Sequence, residues 1–289
     1  MIIFLGYKFL ELLAFVTPYA VAYFIAGAAA KIAYSLGIHT DILKKNVSIA
    51  LGLRPNDRKV AGIVKKIYVV WFCNVIDFLK HPIISRDKLI KRVELLGIEN
   101  LKNSLKEGKG AVIVTAHIGN FEWGACRIAT EGIKIWGVAL SRPYHRTNMF
   151  FEKRRLSKGM YTLYANKSML KTFRILKDNE VIAVPADFDP LRTAHPYDFF
   201  NKQAYIPSGA VEIALKSGAP LLPSFLWRKS KYIHQQIIGP PIDLERDAGK
   251  FDNNKDYIKY NMGKMIPVLE KYIIGHIEEW EMFHDIWVE

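Results

Sequence analysis

The sequence predicts an α/β protein with a mixed, mostly parallel β-sheet flanked by helices. Short runs rich in β-branched residues, such as Ala111–Thr115 and Val181–Pro185, alternate along the chain with stretches of helical spacing. That spacing is clearest between Val60 and Phe78, where apolar residues recur at steps of three and four. Half of the 289 residues are apolar, so the chain can bury one sizeable core.

The same patterns assign the elements in chain order. The predicted strands are Ala111–Thr115, Lys134–Leu140, Val181–Pro185, Pro220–Trp227 and Tyr232–Ile238. The predicted helices are Ile42–Lys80 with a break at Gly52–Asn56, Leu101–Lys106, a helix from Phe121, Thr147–Lys158, Ser168–Lys177, Pro207–Ser217 and Asp256–Ile274. The segment Asp187–Ala204 is interpreted as a long loop, and loops of that length are often functional.

The N-terminus indicates contact with a membrane. Leu12–Ala30 contains 19 residues without a charge, which is about the length that spans a bilayer core. Lysines follow this segment more densely than they precede it, so the positive-inside rule places the rest of the chain in the cytoplasm. We therefore expect a membrane anchor over residues 1–36 and a catalytic domain over 37–289. Because Pro18 interrupts the run, a helix lying in the membrane interface is the alternative to a true span.

Charge is unevenly distributed, although the whole chain carries a net charge of +13. Between Arg142 and Lys177 there are ten basic residues and one acid, whereas Asp243–Glu289 holds eleven acids and six bases. The basic block predicts an anionic partner, such as phospholipid headgroups, a phosphorylated substrate or an acidic carrier protein. The cysteines, Cys73 and Cys126, form neither a disulfide framework nor a zinc motif.

The strongest candidate for chemistry follows the strand Ala111–Thr115. His117 comes at the carboxyl end of that strand, where open α/β sheets bind their substrates. Gly119 and Asn120 can turn the chain so that Glu122 returns toward the ring. A histidine held by a carboxylate is a candidate general base for a hydroxyl group.

The motifs together resemble the bacterial lipid A late acyltransferases, the lauroyl and myristoyl transferases of the lysophospholipid acyltransferase superfamily. His117 and Glu122 match the His-x4-Asp/Glu hallmark, within a similar segment that runs from Val93 to Gly124. Other segments that resemble the family are Ser141–Arg146, Ala165–Leu170, Glu180–Asp189, Phe199–Phe225 and Glu278–Trp287. The likeness covers essentially the whole chain.

This resemblance implies a glycerol-3-phosphate acyltransferase-like fold and transfer of an acyl chain from a thioester to a lipid hydroxyl. His117 would be the general base and Glu122 would orient its ring. The resemblance and the local chemistry assign substrate binding to Arg142, Arg154, Arg155, Asp187 and Asn120. Trp280 and His284 are expected to pack the C-terminal segment against the domain. No cofactor and no metal site are expected.

The donor implied by the resemblance is an acyl carrier protein or a coenzyme A thioester, and the acceptor is a lipid A precursor or a similar glycolipid. The alternative is an acyltransferase of the same superfamily with another acceptor: a glycerolipid, an aminolipid or a mannosylated inositol lipid. A different class of protein, a non-catalytic basic protein that binds membrane or nucleic acid, also stays open. Nucleic acid is not the expected partner, because the basic block matches no recognised module. We expect the cytoplasmic membrane as the location, with the catalytic domain on its cytoplasmic side.

Overall fold

The centre of the molecule is a seven-stranded sheet with the strand order β1-β9-β8-β2-β5-β3-β4. A computed structural model describes residues 2–165, 169–190 and 192–288. The strands are β1 Val93–Leu96, β2 Ala111–Thr115, β3 Ile135–Ala139, β4 Met160–Tyr164, β5 Val181–Pro185, β6 Pro196–Phe199, β7 Lys202–Tyr205, β8 Leu221–Arg228 and β9 His234–Ile238. The neighbouring strands of this sheet run parallel except for the antiparallel pair β8–β9, which confirms the predicted α/β fold with a mostly parallel sheet.

Helices cover both faces of the sheet. They are α1 Ile2–Val16, α2 Tyr19–Ser35, α3 Thr40–Leu51, α4 Arg58–Lys80, α5 Arg86–Arg92, α6 Ile98–Leu105, α7 Phe121–Ala129, α8 His145–Leu156, α9 Met169–Lys177, α10 Gly209–Ser217 and α11 Asn254–Gly275. One core cluster joins the sheet to α10, α11 and the C-terminal segment, and a second joins its other face to α5, α6 and α7. Two faces covered by helices explain why the central strand β2 is an almost continuous apolar run.

The sequence patterns missed the helix α5 and the strands β1, β4, β6 and β7. Strands β1 and β4 lie at the two edges of the sheet, where apolar runs are shorter and half exposed. The predicted loop Asp187–Ala204 contains the hairpin β6–β7. Its turn is made by Phe200 and Asn201, both with positive φ, so the glycine that usually marks such a turn is absent from the sequence.

The apolar N-terminal run is two helices rather than one. α1 ends at Val16 and α2 begins at Tyr19, because Pro18 lacks the N–H that a continuous helix requires. Within the described residues, no single helix is both long and apolar enough to cross a bilayer. The helices α2 and α3, bent by 92° at their junction, pass that test of length and composition only as a pair. A small-residue face of α2, including Ala22, Ala26 and Ala30, is buried, and the helix packs on α4.

Candidate active site

A histidine–aspartate pair lies at the carboxyl ends of two adjacent parallel strands. β2 leads into His117 and β5 leads into Asp187, so the pairing of these strands brings together residues that are 70 positions apart. Asp187 Oδ1 lies 2.8 Å from His117 Nδ1, and Oδ2 accepts the main-chain N–H of His117 at 2.9 Å. A carboxylate only accepts, so Nδ1 carries the proton and Nε2 of the neutral ring keeps its lone pair.

Burial differs sharply between the two partners. The side chain of Asp187 is fully buried, whereas that of His117 is 30% exposed. Burial opposes the imidazolium charge, but the attraction of Asp187 and its hydrogen bond outweigh this effect and raise the pKa of His117. Burial likewise opposes ionisation of Asp187, and the bonds from His117 and Trp280 outweigh it, so the pKa of Asp187 is lowered. The pair is therefore a charged carboxylate that holds a partly accessible base.

Glu122 does not make the predicted bond to the ring of His117. Its carboxylate accepts hydrogen bonds from Arg155 instead. The Nε atom of Arg155 lies 2.9 Å and 3.1 Å from the two carboxylate oxygens, and Nη2 lies 2.5 Å from one of them. Glu122 is the second residue of α7, and that helix directs its carboxylate toward Arg155 on α8. Its charge still contributes to the raised pKa of His117, so Glu122 lies within electrostatic reach of the base.

Arg142 lies near this ion pair, in the segment that follows β3. Its guanidinium stacks on Phe151, 3.6 Å from the ring centre, and Asn148 accepts its main-chain N–H at 2.8 Å. Burial and the nearby charge of Arg155 lower the pKa of Arg142, and Glu122 acts in the opposite direction. The structure thus brings Arg142, Arg155 and Glu122 together on the side of the sheet where the strands have their carboxyl ends, as it does His117.

Two predicted substrate-binding residues have other partners. The guanidinium of Arg154 pairs with Glu11 on α1 and donates to the Phe150 carbonyl at 2.7 Å, which ties α8 to α1. Asn120 caps α7, since its Oδ1 accepts the N–H of Trp123 at 3.1 Å. Both side chains are almost fully buried in these structural contacts, and their role in binding substrate stays a prediction.

The C-terminal segment contributes to the site, which sequence patterns did not predict. Trp280 donates its indole N–H to Asp187 Oδ2 at 3.0 Å. His284 lies flat on Phe188, the neighbour of Asp187, with ring centres 4.3 Å apart. The Trp-x3-His ending is the available signal, but it predicts only packing of the C-terminal segment, since Trp280 and His284 lie more than 160 positions from His117 along the chain.

A second polar cluster lies at the far end of the turn that follows His117. Asp77 on α4 accepts from the Tyr23 hydroxyl at 2.6 Å, from Arg228 Nη2 at 2.9 Å and from Asn120 Nδ2 at 3.5 Å. Arg228 also donates to the Asn74 side chain at 2.7 Å. We call these residues, Tyr23, Asn74, Asp77 and Arg228, the Asp77 cluster. It joins α2 and α4 to the sheet.

The described residues contain no group of three or more His, Cys, Asp or Glu side chains that is arranged to hold a metal ion. Part of the segment Ala165–Leu170 that resembles the family, residues 166–168, lies outside the described residues. The arrangement that remains, a partly exposed histidine on a buried carboxylate beside two arginines, is suited to proton removal from a hydroxyl next to an anionic group.

Comparison with known proteins assigns the family. A family model described as bacterial lipid A biosynthesis acyltransferase matches residues 1–289, and the chain belongs to that family. A phosphatidylinositol mannoside acyltransferase from Mycobacterium tuberculosis is 26% identical over 195 residues, which is 64% of this chain and 60% of that protein. A protein with the same description from Mycolicibacterium smegmatis is 25% identical over 73% of this chain and 70% of its own length.

One solved structure is similar over most of its length. The 1-acyl-sn-glycerophosphate acyltransferase PlsC from Thermotoga maritima aligns with 89% of this chain and 97% of its own, at 14% identity and a TM-score of 0.39. The match to the M. tuberculosis relative spans less than two thirds of that protein.

Proposed function

We propose that the protein is an acyltransferase that moves a fatty acyl chain from a thioester to a hydroxyl of a glycolipid. The observation that carries this proposal is the bond between His117 Nδ1 and buried Asp187, which leaves Nε2 of a partly exposed ring as a base. Nε2 takes the hydroxyl proton while the oxygen attacks the thioester carbonyl carbon. The carbon–sulfur bond then breaks, and the leaving thiolate receives the proton from the imidazolium.

The transfer is direct and passes through no acyl-enzyme. Cys126 is fully buried, and burial raises the pKa of its thiol above the ordinary range, so the thiolate is not formed at neutral pH. Its nearest polar partner is buried His81, with 3.4 Å between Sγ and Nε2. The attacking group is therefore the acceptor hydroxyl itself, and Asp187 replaces Glu122 as the residue that orients His117.

Arg142 is our candidate residue for binding a phosphate group of the acceptor or of the donor. Glu122 neutralises Arg155, whereas the described residues include no carboxylate in an ion pair with Arg142. A partly exposed guanidinium stacked on Phe151 presents its edge for a bidentate contact with phosphate. Glu122 and Arg155 then hold α7 and α8 in register beside the base.

We propose a phosphate-bearing glycolipid as the acceptor. The family description names lipid A biosynthesis, and both mycobacterial relatives are named for phosphatidylinositol mannoside, which also joins sugars to a phospholipid. A lauroyl or myristoyl transfer to a lipid A precursor and a transfer to a mannosylated inositol lipid are both consistent with one base and one phosphate-binding arginine. A glycerolipid or an aminolipid acceptor stays as the alternative within the superfamily.

The basic block suits an acidic carrier protein or the diphosphate of coenzyme A as the donor partner. Among the described residues, five of its side chains are exposed on the helices that follow β3 and β4: Arg146, Lys153, Lys171, Arg174 and Lys177. Because these charges lie on α8 and α9, which flank the edge of the sheet that bears His117, a donor bound there reaches the base.

We also propose that α1 and α2 lie in the interface of the cytoplasmic membrane, with the catalytic domain in the cytoplasm. Their exposed apolar side chains support this: Leu5, Phe9, Leu10, Leu12, Leu13, Val16, Val21, Phe24, Ile25 and Ile32. Apolar surface on this scale marks an interaction site in a protein of this size. The break at Pro18 favours the in-plane arrangement over a continuous span.

The transfer is tested with the purified full chain in detergent. Laurate, myristate and palmitate thioesters of acyl carrier protein and of coenzyme A are offered with lipid A precursor, phosphatidylinositol mannoside and a total lipid extract. Products are identified by mass. We expect His117→Gln to lower transfer by about two to four orders of magnitude, the usual contribution of a general base.

The matched control is His276→Gln. His276 stacks on Trp227 outside the site, so this variant keeps wild-type transfer. Equal rates for His117→Gln and the wild type would refute the proposed base. A folded protein that forms no acylated lipid with any donor would favour the non-catalytic binding protein.

Membrane binding is tested by co-sedimentation with vesicles that contain anionic phospholipid. Phe24 is 78% exposed on α2, and we expect Phe24→Asp to weaken vesicle binding by at least about tenfold, because a buried phenylalanine gains roughly 2 kcal/mol. Ile274→Asp on α11, an exposed apolar residue outside these helices, is the control and leaves binding unchanged. Equal loss in both variants would argue against α1 and α2 as the membrane face.

A further inference from the structure

Trp280 is the residue on the opposite side of Asp187 from the catalytic ring. It is fully buried, and its indole Nε1 donates to Asp187 Oδ2 at 3.0 Å. The same oxygen accepts the main-chain N–H of His117 at 2.9 Å. Oδ2 is therefore occupied by two donors, and Oδ1 is left to face Nδ1 of His117 at 2.8 Å.

The main chain around Trp280 is joined to the loop that bears His117. Gly119 donates its N–H to the Glu279 carbonyl at 3.0 Å, and Glu281 donates its N–H to the His117 carbonyl at 2.8 Å. Gly119 has a φ of 55°, and a Cβ there would lie 2.5 Å from the Leu226 carbonyl oxygen, so only glycine fits this close approach. Trp280 thus cannot shift without moving the catalytic loop.

We propose that Trp280 is a positioning residue for acyl transfer, because its indole N–H fixes the Asp187 carboxylate against His117. This inference rests on the proposed function. A donor that stabilises the carboxylate charge also moderates how strongly Asp187 attracts a proton onto the ring. Without that donor the carboxylate becomes more basic, the imidazolium is stabilised and the base is neutral only at higher pH.

Other charged groups reach the same loop. Glu122 and His284 lie within electrostatic range of the His117 ring. Burial raises the pKa of Glu279 to about 7 and that of Glu281 to about 8. Arg228 donates its main-chain N–H to Glu279, at 2.8 Å and 2.9 Å. Because these acids titrate in the same range, the test needs a signal from His117 itself.

The experiment compares Trp280→Phe with Trp287→Phe in the full chain. Both tryptophans are fully buried near the C-terminus, but Trp287 donates its indole N–H to Asn46 at 2.7 Å instead of to the catalytic pair. Phenylalanine keeps an apolar ring in each place. For Trp280→Phe we expect the acid limb of the pH profile of kcat/KM to move up by roughly half a unit to one unit. We expect a lower kcat at pH 7 and a nearly unchanged KM.

The second readout is an NMR titration of the His117 ring, assigned by its loss in His117→Gln. It needs no substrate, so it tests the coupling even if the transfer reaction proves wrong. We expect the titration midpoint to rise in Trp280→Phe and to stay in place in Trp287→Phe. A midpoint and an acid limb at or below the wild-type positions, or equal shifts in both variants, would overturn the proposal.

Discussion

Asp187 and Asp77 are both fully buried carboxylates, and they lie at opposite ends of the turn formed by residues 117–120. Asp187 holds His117, whose side chain is 30% exposed. Asp77 holds Arg228, whose side chain is 11% exposed and which also donates Nη1–H to the Tyr23 hydroxyl oxygen at 3.0 Å. One carboxylate thus faces a group that can reach a substrate, and the other faces a cation enclosed by α2, α4 and the sheet.

The comparison teaches that the accessibility of the partner decides the role of a buried carboxylate. Burial works against the charges of both partners. Asp77 and Tyr23 outweigh it and raise the pKa of Arg228, whereas burial raises the pKa of Asp77 although Arg228 opposes that shift. Because both side chains are almost fully buried, the pair has little access to a substrate. The pKa of His117 is also raised by its carboxylate, but its ring is partly exposed and can exchange a proton with a bound substrate. Asp187 is therefore expected to affect catalysis and Asp77 to affect stability.

The largest effect is expected for Asp187→Asn. An amide in place of the carboxylate cannot accept the three donors around it and favours the wrong tautomer of His117, which in a catalytic triad costs about four orders of magnitude in kcat. We expect kcat/KM to fall by roughly three to four orders of magnitude, measured with the best donor and acceptor found for the wild type.

The double variant Asp187→Asn with His117→Gln is the control for this prediction. Residues that act as one unit are strongly non-additive, so the double variant should be little worse than the poorer single variant. Additive losses would mean that Asp187 acts separately from the ring, and the comparison with Asp77 would lose its basis.

The sequence singled out His117 but not the carboxylate that hydrogen-bonds to its ring. A β-branched run followed by His117 predicts a strand end, and local spacing then pointed to Glu122. The real partner, Asp187, is adjacent only because β2 pairs with β5, and strand order is a property of the whole sheet. The sequence alone does not say which strand lies beside β2, so an acid after another strand could equally have been the partner of His117. Assigning Asp187 as that partner required the strand order.

The same limit applies to other parts of the site. The basic block contains Arg142, Arg154 and Arg155. On α8, Arg154 pairs with Glu11 of α1, whereas Arg155 is neutralised by Glu122 of α7. Adjacent positions on one helix point in different directions, so composition cannot assign their partners. The Asp77 cluster was also not predicted, because its members come from α2, α4 and β8, which share no motif.

A smaller effect, on stability rather than on turnover, is expected for Asp77→Asn. Removing one partner of a buried ion pair leaves Arg228 charged and unpaired, which typically costs about 3–5 kcal/mol of the free energy of unfolding. Tyr23→Phe removes only the hydroxyl that donates to Asp77 at 2.6 Å, and we expect it to cost roughly 1.5–3 kcal/mol. Denaturant unfolding of the full chain in detergent, followed by fluorescence, measures both changes.

Measuring kcat/KM of the folded protein distinguishes the role of Asp77 from that of Asp187. Asn120 connects Asp77 to the turn through a single 3.5 Å contact, so we expect kcat/KM of folded Asp77→Asn to stay within about tenfold of the wild type. The unfolding free energy of Asp187→Asn should fall less than that of Asp77→Asn, because the partner of Asp187 is partly solvated. If Asp77→Asn abolished transfer at unchanged stability, the buried cluster would belong to the catalytic machinery, and exposure of the partner would no longer distinguish the two sites.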